Sequence, residues 1–164
     1  MHTKMKKLIF IALIGLFVLT SCSKSKIYEK RQEFPNYTWN RLKPLFFEVA
    51  VNDTKSEYNV YFTLRHITQY PYDNLKTNFT IIAPSGDERT TVHEFEIKNS
   101  DGKLMGEGAG DLWDLKLLVK ERMTFNESGT YKFQIDNLMD YFDVAGLVDF
   151  GVIVEKASPK KEKK

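Results

Sequence analysis

Beyond a short N-terminal segment, the sequence predicts an all-β chain folded as a single-domain β-sandwich with a jelly-roll-like strand order. Three observations point there. From Pro44 onward apolar residues recur with a period near two, turn residues interrupt the pattern at short intervals, and no long amphipathic helix competes. Many short strands with one apolar face each are accommodated by two sheets stacked face to face. Residues 36–155 of the 164 are assigned to this domain. A domain of that size buries about 70% of the surface its unfolded chain exposes, enough for a core without disulfide staples. That suits a chain whose single cysteine is Cys22.

The elements follow in order. Residues 1–21 read as a cleaved signal peptide: Lys4, Lys6 and Lys7 form a positive region, and the apolar run from Leu8 to Leu19 is too short for a membrane span, which needs about 20 residues. Leu19-Thr20-Ser21-Cys22 then matches a lipobox, an aliphatic residue and two small residues before a thiol. The thiol can carry diacylglycerol, and cleavage frees an amine for a further acyl chain such as palmitate. Several chains anchor far more firmly than one, at about 0.8 kcal/mol per buried methylene. Residues 22–35 are expected to be the lipidated N-terminus and a tether, given the polar, mixed-charge stretch Ser23 to Lys30. Ser23, where an Asp would favour retention at the inner membrane, favours the outer membrane, and the lack of an acidic cluster after Cys22 favours the periplasmic face.

Strands are expected at Leu45–Val51, ended by Asn52-Asp53, and from Tyr58 to Arg65. Further strands fall at Thr77–Ala83, before Pro84-Ser85-Gly86-Asp87, and at Val92–Lys98, before Asn99-Ser100-Asp101-Gly102. Lys103–Gly110, with three glycines, suits a short strand beside a loop or bulge. Leu115–Lys120, Thr130–Asp136 and Leu147–Lys156 complete the set, with a helical turn expected within Asn137–Phe142. Residues 156–164 are expected to be a basic, disordered tail, read either as a contact with anionic lipid or partner, or as a solvated end.

The formal charge of +2 falls to −1 once the three lysines of residues 1–21 are removed, so the domain itself is mildly acidic. A basic face with interleaved aromatics is missing, which argues against nucleic acid. Catalysis finds little support. Beyond the leader the only histidines are His66 and His93, no serine sits in a nucleophile elbow, and no His-x-x-x-His or acid-rich metal loop occurs. No cofactor, metal or small-molecule substrate is therefore expected. Gly106, Gly108 and Gly110 are not followed by the Lys-Ser or Lys-Thr of a phosphate loop, and they suit close backbone approach near Trp113. Asp111 and Asp114 read as turn and capping residues.

Several stretches are shared with a known group. They are Tyr58-Asn59-Val60 leading into Leu64-Arg65-His66, then Tyr70-Pro71-Tyr72-Asp73-Asn74-Leu75, and the run from Gly106 through Trp113-Asp114. Gly129-Thr130-Tyr131-Lys132-Phe133 and the ending Gly146 to Lys156 complete them. With these motifs the chain resembles the gliding-motility-associated lipoproteins of the GldH type along the whole domain. The resemblance implies an outer-membrane lipoprotein needed for surface gliding and linked to the type IX secretion machinery, without catalytic activity.

Arg65, His66, Tyr70, Tyr72 and Trp113 are the candidate partner-binding residues. Arg offers planar bidentate bonding to a carboxylate, and exposed tyrosine offers contact area at little entropic cost. The plainer reading pairs Arg65 with Asp73 or Asp114, uses the tyrosines to fix a loop, and buries Trp113. Pro71 imposes an extended or turn geometry on Tyr70, with a cis bond allowed. The expected function is protein–protein contact within the gliding and secretion apparatus, from an anchor in the outer membrane facing the periplasm. The alternative is a glycan- or peptidoglycan-binding module, which would need Trp113 or Tyr72 exposed and flat.

Overall fold

The computed structural model describes residues 25–159; the signal segment, Cys22 and the lysines from Lys160 onward lie outside the described residues. Eleven strands form the chain order: β1 (Lys26–Glu33), β2 (Thr38–Asn40), β3 (Leu45–Val51), β4 (Tyr58–Ile67), β5 (Asn74–Ile82), β6 (Glu88–Glu96), β7 (Glu107–Ala109), β8 (Leu112–Met123), β9 (Gly129–Asn137), β10 (Asp143–Ala145) and β11 (Leu147–Lys156). The single helical element described is a short 3-10 turn, Pro35–Tyr37.

Two antiparallel sheets make the sandwich, in the orders β1-β11-β4-β8-β7 and β3-β9-β5-β6. Leaving out the three short strands, eight remain, and their pairing is nested: first with last, second with seventh, third with sixth, fourth with fifth. A hairpin of that kind rolled over on itself is a jelly roll. The expected architecture and strand order are those found.

Alternation explains the core. β3 reads buried and exposed in strict turn, placing Phe47, Val49 and Val51 inside. In β4 the same parity buries Tyr58, Val60, Phe62, Leu64 and His66. Phe62 joins the two layers, with ring centroids 4.9 Å from Phe150 in its own sheet and 5.0 Å from Phe79 opposite, both edge-on. Aromatic pairs of this geometry each add about 0.5–1.5 kcal/mol beyond the area they bury.

Three expectations change. Residues 26–33 are not a tether: they form β1, paired through seven registered positions with β11. An edge strand with one solvated side tolerates charge, so its polar sequence hides it. Lys156, placed both in the last strand and at the head of the tail, belongs to the strand: it ends β11, and its Nζ lies 2.7 Å from Asp53 Oδ2. Asn137–Phe142 makes bends, not a helical turn, because Met139 is buried and its amide is held 2.9 Å from Asn137 Oδ1. Of the two forms open to it, the Tyr70–Pro71 bond takes the trans one, as do all peptide bonds among the described residues.

The β2–β10 ribbon plugs one end of the sandwich. Trp39 is buried there, stacked on Phe34 at 5.3 Å and 5.6 Å from Phe150, with its indole N–H donating to the Lys43 carbonyl at 2.9 Å. That end carries the candidate site.

Candidate partner-contact site

Arg65 sits on the outer face of β4, since its parity is opposite to that of Leu64 and His66. Its Nε and Nη2 donate to the two carboxylate oxygens of Asp114 on β8, each at 2.9 Å. On the other side, Arg31 of β1 donates to Asp149 of β11 at 2.7 Å, and Arg31 also lies 3.7 Å from Asp114. Asp149 is 4.0 Å from Arg65 and almost buried. Two cations and two anions therefore form a row across four adjacent strands. The Arg65 bonds hold the Asp114 carboxyl below the usual carboxylate range, and Asp114 in turn raises Arg65. The plain reading of Arg65 is the observed one: its guanidinium is engaged within the fold.

His66 and Tyr70 are buried, so neither offers contact area to a partner. Strand parity puts the imidazole inward, beside Tyr70 at 5.4 Å, with Nδ1 2.9 Å from the Ile67 carbonyl. Burial pushes the His66 pKa down, which favours the neutral ring with Nδ1–H donating. The Tyr70 hydroxyl donates to the Asn74 carbonyl at 3.0 Å, and burial raises its pKa strongly. Trp113 is half-buried instead of sunk in the core. Its six-membered ring lies over Gly108, where an added Cβ would come within 2.9 Å of the indole, and its N–H donates to Thr68 Oγ1 at 3.2 Å. The glycine is required by that close approach.

Tyr72 is half-buried, as are Arg65 and Trp113. It meets Tyr70 edge-on at 5.4 Å and Tyr141 at 4.6 Å with the rings 33° apart. The two tyrosines line a cavity of about 410 Å³ together with Asp73, Asn74, Lys76, Glu94 and Met139. Asn74 Nδ2 donates to Glu94 Oε1 at 2.6 Å, and Lys98 pairs with Asp73 at 3.3 Å. Beside this cleft Phe142 is exposed, and its carbonyl accepts from the Arg41 amide next to the exposed Leu42. Among the described residues no group of three or more His, Cys, Asp or Glu could hold a metal ion.

Tyr141, Phe142 and Leu42 escaped sequence reasoning, as did Arg31 and Asp149. One signal was available: large apolar residues inside otherwise polar loops have to be either plugs or contact points. Strand parity from Tyr58 through Leu64 would also have placed His66 inside.

The GldH lipoprotein family model matches residues 26–154. The chain belongs to the GldH lipoprotein family. The GldH span begins where β1 begins and stops two residues short of the end of β11, so it coincides with the sandwich. A gliding motility lipoprotein GldH of Flavobacterium johnsoniae is 32% identical over 125 residues, covering 76% of this chain and 77% of that protein. A GldH homolog of Christiangramia forsetii is 27% identical over 156 residues, covering 91% of this chain and 95% of that protein. Among solved structures, the Yersinia pseudotuberculosis-derived mitogen aligns over 83% of this chain and 92% of its own, with 7% identity and a TM-score of 0.37. The motif residues that suggested GldH fall at the two ends of β4, in the Tyr70–Leu75 segment, across β7 and the start of β8, at the start of β9 and along β11.

Proposed function

We propose that the chain is a membrane-anchored gliding motility lipoprotein that acts through protein contacts and catalyses no reaction. Lipid on Cys22 would hold it in the outer membrane, facing the periplasm, where it supports the gliding apparatus and type IX secretion. The observation that carries this reading is the family match along the entire sandwich. The ion-pair row agrees with it: Arg31, Arg65, Asp114 and Asp149 are closed on one another within the fold. The aromatic end formed by the exposed Tyr141 and Phe142 with the half-buried Tyr72 is the surface offered to a partner, since aromatic side chains are enriched at protein interfaces.

Crosslinking in intact cells followed by affinity capture tests the reading. Recovery of gliding or secretion components, lost with Tyr141→Ala and Phe142→Ala together, is expected; capture that is unchanged by both substitutions would move the contact elsewhere. Protease treatment of intact cells should leave the domain uncut, and cleavage would put it on the cell surface.

A glycan- or peptidoglycan-binding reading is favoured by one observation, the polar cleft in which Tyr72 and Tyr141 stand beside Asp73, Asn74 and Glu94. Retention on peptidoglycan sacculi without protein partners would select it.

A further inference from the structure

The two large sheets have four edges, and three of them are blunted. β1 carries a bulge between Lys26 and Tyr28 and the cations Lys26, Lys30 and Arg31. On β3 the Phe46 carbonyl is capped by Gln32 Nε2 at 2.6 Å. The third edge is shared by β7, three residues long, and the rest of β8, which is bent by two bulges and by Arg122 at a φ of 49°. Short strands, bulges and charged side chains are the usual devices against unwanted strand addition.

β6 is neither short nor bulged. It is the last strand of its sheet, keeps register with β5 at all nine positions, and contains no Pro, Gly or Lys. Thr90, Thr91 and Val92 at its centre are β-branched and exposed. At the ends of the β5–β6 ladder the Ala83 amide donates to the Asp87 carbonyl and the Ile97 amide to the Asp73 carbonyl, each at 2.8 Å. Bonded pairs alternate along an antiparallel ladder, so Arg89, Thr91, His93 and Phe95 bond β5. The N–H and C=O groups of Glu88, Thr90, Val92, Glu94 and Glu96 therefore point to the open side. Past them the edge closes, where the Met105 amide donates to the Ile97 carbonyl at 2.8 Å.

The side chains of these same residues share the outer face, and Arg89, the one cation of β6, lies on the other. Among the described residues none of the three glutamates is in an ion pair; Glu94 accepts from Asn74 Nδ2 at 2.6 Å. A second copy fits this pattern badly. Paired antiparallel about Val92, Glu88 of each copy would stand against Glu96 of the other, and like charges directly opposite destabilise a sheet.

We infer that β6 is a strand-addition edge for an extended, basic segment of a partner protein. The segment pairs antiparallel with the free backbone groups of Thr90, Val92 and Glu94, sets an apolar side chain beside Val92, and sets lysine or arginine beside Glu88, Glu94 and Glu96. Backbone bonds supply the affinity in such pairing and alternate side chains the selectivity. The inference rests on the reading of the chain as a protein that acts by contact, and it extends the aromatic end, since Glu94 also lines the Tyr72–Tyr141 cavity. Each opposite-charge cross-strand pair strengthens pairing about 1.5- to 5-fold, so three give an effect on the order of tenfold.

The test uses the chain from residue 22 with Cys22→Ser and a nine-residue peptide blocked at both ends, with valine at its centre, lysine at the other odd positions and threonine at the even ones. Fluorescence anisotropy should show binding of this peptide, none of the same peptide with glutamate for lysine, and binding weaker by about tenfold when Glu88, Glu94 and Glu96 become Gln. Hydrogen exchange should slow at the amides of Thr90, Val92 and Glu94 and stay unchanged at Thr91 and His93, which already bond β5. Val92→Pro removes the central free donor and no bond to β5, so it should abolish binding at an unchanged melting temperature. With the protein unaltered, N-methylation of the peptide's valine should abolish binding and N-methylation of an adjacent threonine should spare it. No binding, equal binding of both peptides, binding that survives methylation of the valine, protection without alternation, or a dimer of the free chain that Val92→Pro dissolves would each overturn the inference. In cells, partner capture that survives Val92→Pro but is lost with Tyr141→Ala and Phe142→Ala together would keep the contact reading and overturn this edge. Peptide binding by a chain that captures no partner at all would keep the edge and overturn the contact reading.

Discussion

Removing Arg65 from the ion-pair row distinguishes a structural cation from a partner-binding one. Arg65→Met keeps most of the aliphatic stem and deletes the guanidinium. Both partners of the Arg65–Asp114 bond are about two-fifths exposed, with side-chain accessibilities of 37% and 41%. An exposed pair contributes about 0–1 kcal/mol, and bidentate geometry within a network places this one near the top of that range. A second contribution comes through Asp149, whose side chain is 7% exposed and loses the more distant of its two cations while keeping Arg31 at 2.7 Å. Because Arg31 remains, that loss is a fraction of the about 3–5 kcal/mol seen when a buried ion is left alone. Arg65→Met should therefore destabilise by about 1.5–2 kcal/mol, Asp114→Asn by about 1, and the double variant by less than the sum, with a coupling of about 1 kcal/mol. Urea titrations followed by tryptophan fluorescence give each value by linear extrapolation. A coupling indistinguishable from zero, or an Arg65→Met variant as stable as wild type that fails to capture partners, would refute the structural assignment.

Other expectations follow from the same geometry. Burial lowers the pKa of both His66 and His93, so the fold favours neutral rings; their contribution is intact above the unfolded value of about 6.5 and is lost as pH falls through it toward the folded values. NMR titration of the imidazoles should place both midpoints below 6.5, and a His66 midpoint at or above the free value would contradict its burial. Gly151→Ala would put a Cβ 2.4 Å from Thr63 Oγ1 and 2.7 Å from Arg31 Cγ, so overpacking should cost about 1–3 kcal/mol in a thermal melt; a neutral result would mean β1 yields freely there. Lys156 and Ser56 hold the Asp53 carboxyl far below the usual range, and Asp53→Asn should accelerate hydrogen exchange at the Lys156 and Ala157 amides. Unchanged exchange would show that the clip adds nothing to strand pairing.

Much of the sandwich was legible because burial on one face writes itself into alternating sequence. Leu45–Val51 and Leu147–Lys156 are found at the expected boundaries. β1 was not legible, since Lys26, Glu29, Lys30 and Glu33 face water along an edge. β8 was seen only in its middle, because two bulges opposite Tyr58–Tyr61 shift its parity and Arg122 there adopts a φ of 49°. β2 and β10 have three residues each, fewer than a period can reveal. At the candidate site, the Arg65 pairing with Asp114 was among the two partners the residues suggested. The Tyr72–Tyr141 pair was not, because it joins residues whose neighbourhood arises only when β5 and the loop after β9 come together.

Pairing the first strand with the last also determines how the fold bears force. A pull between the start of β1 and the far end of the sandwich acts along β1, parallel to its axis. The seven registered positions that join β1 to β11 then share the load simultaneously, in shear, instead of peeling apart one after another. That orientation turns a single edge strand into a mechanical strap for any load applied at the N-terminal end of the sandwich.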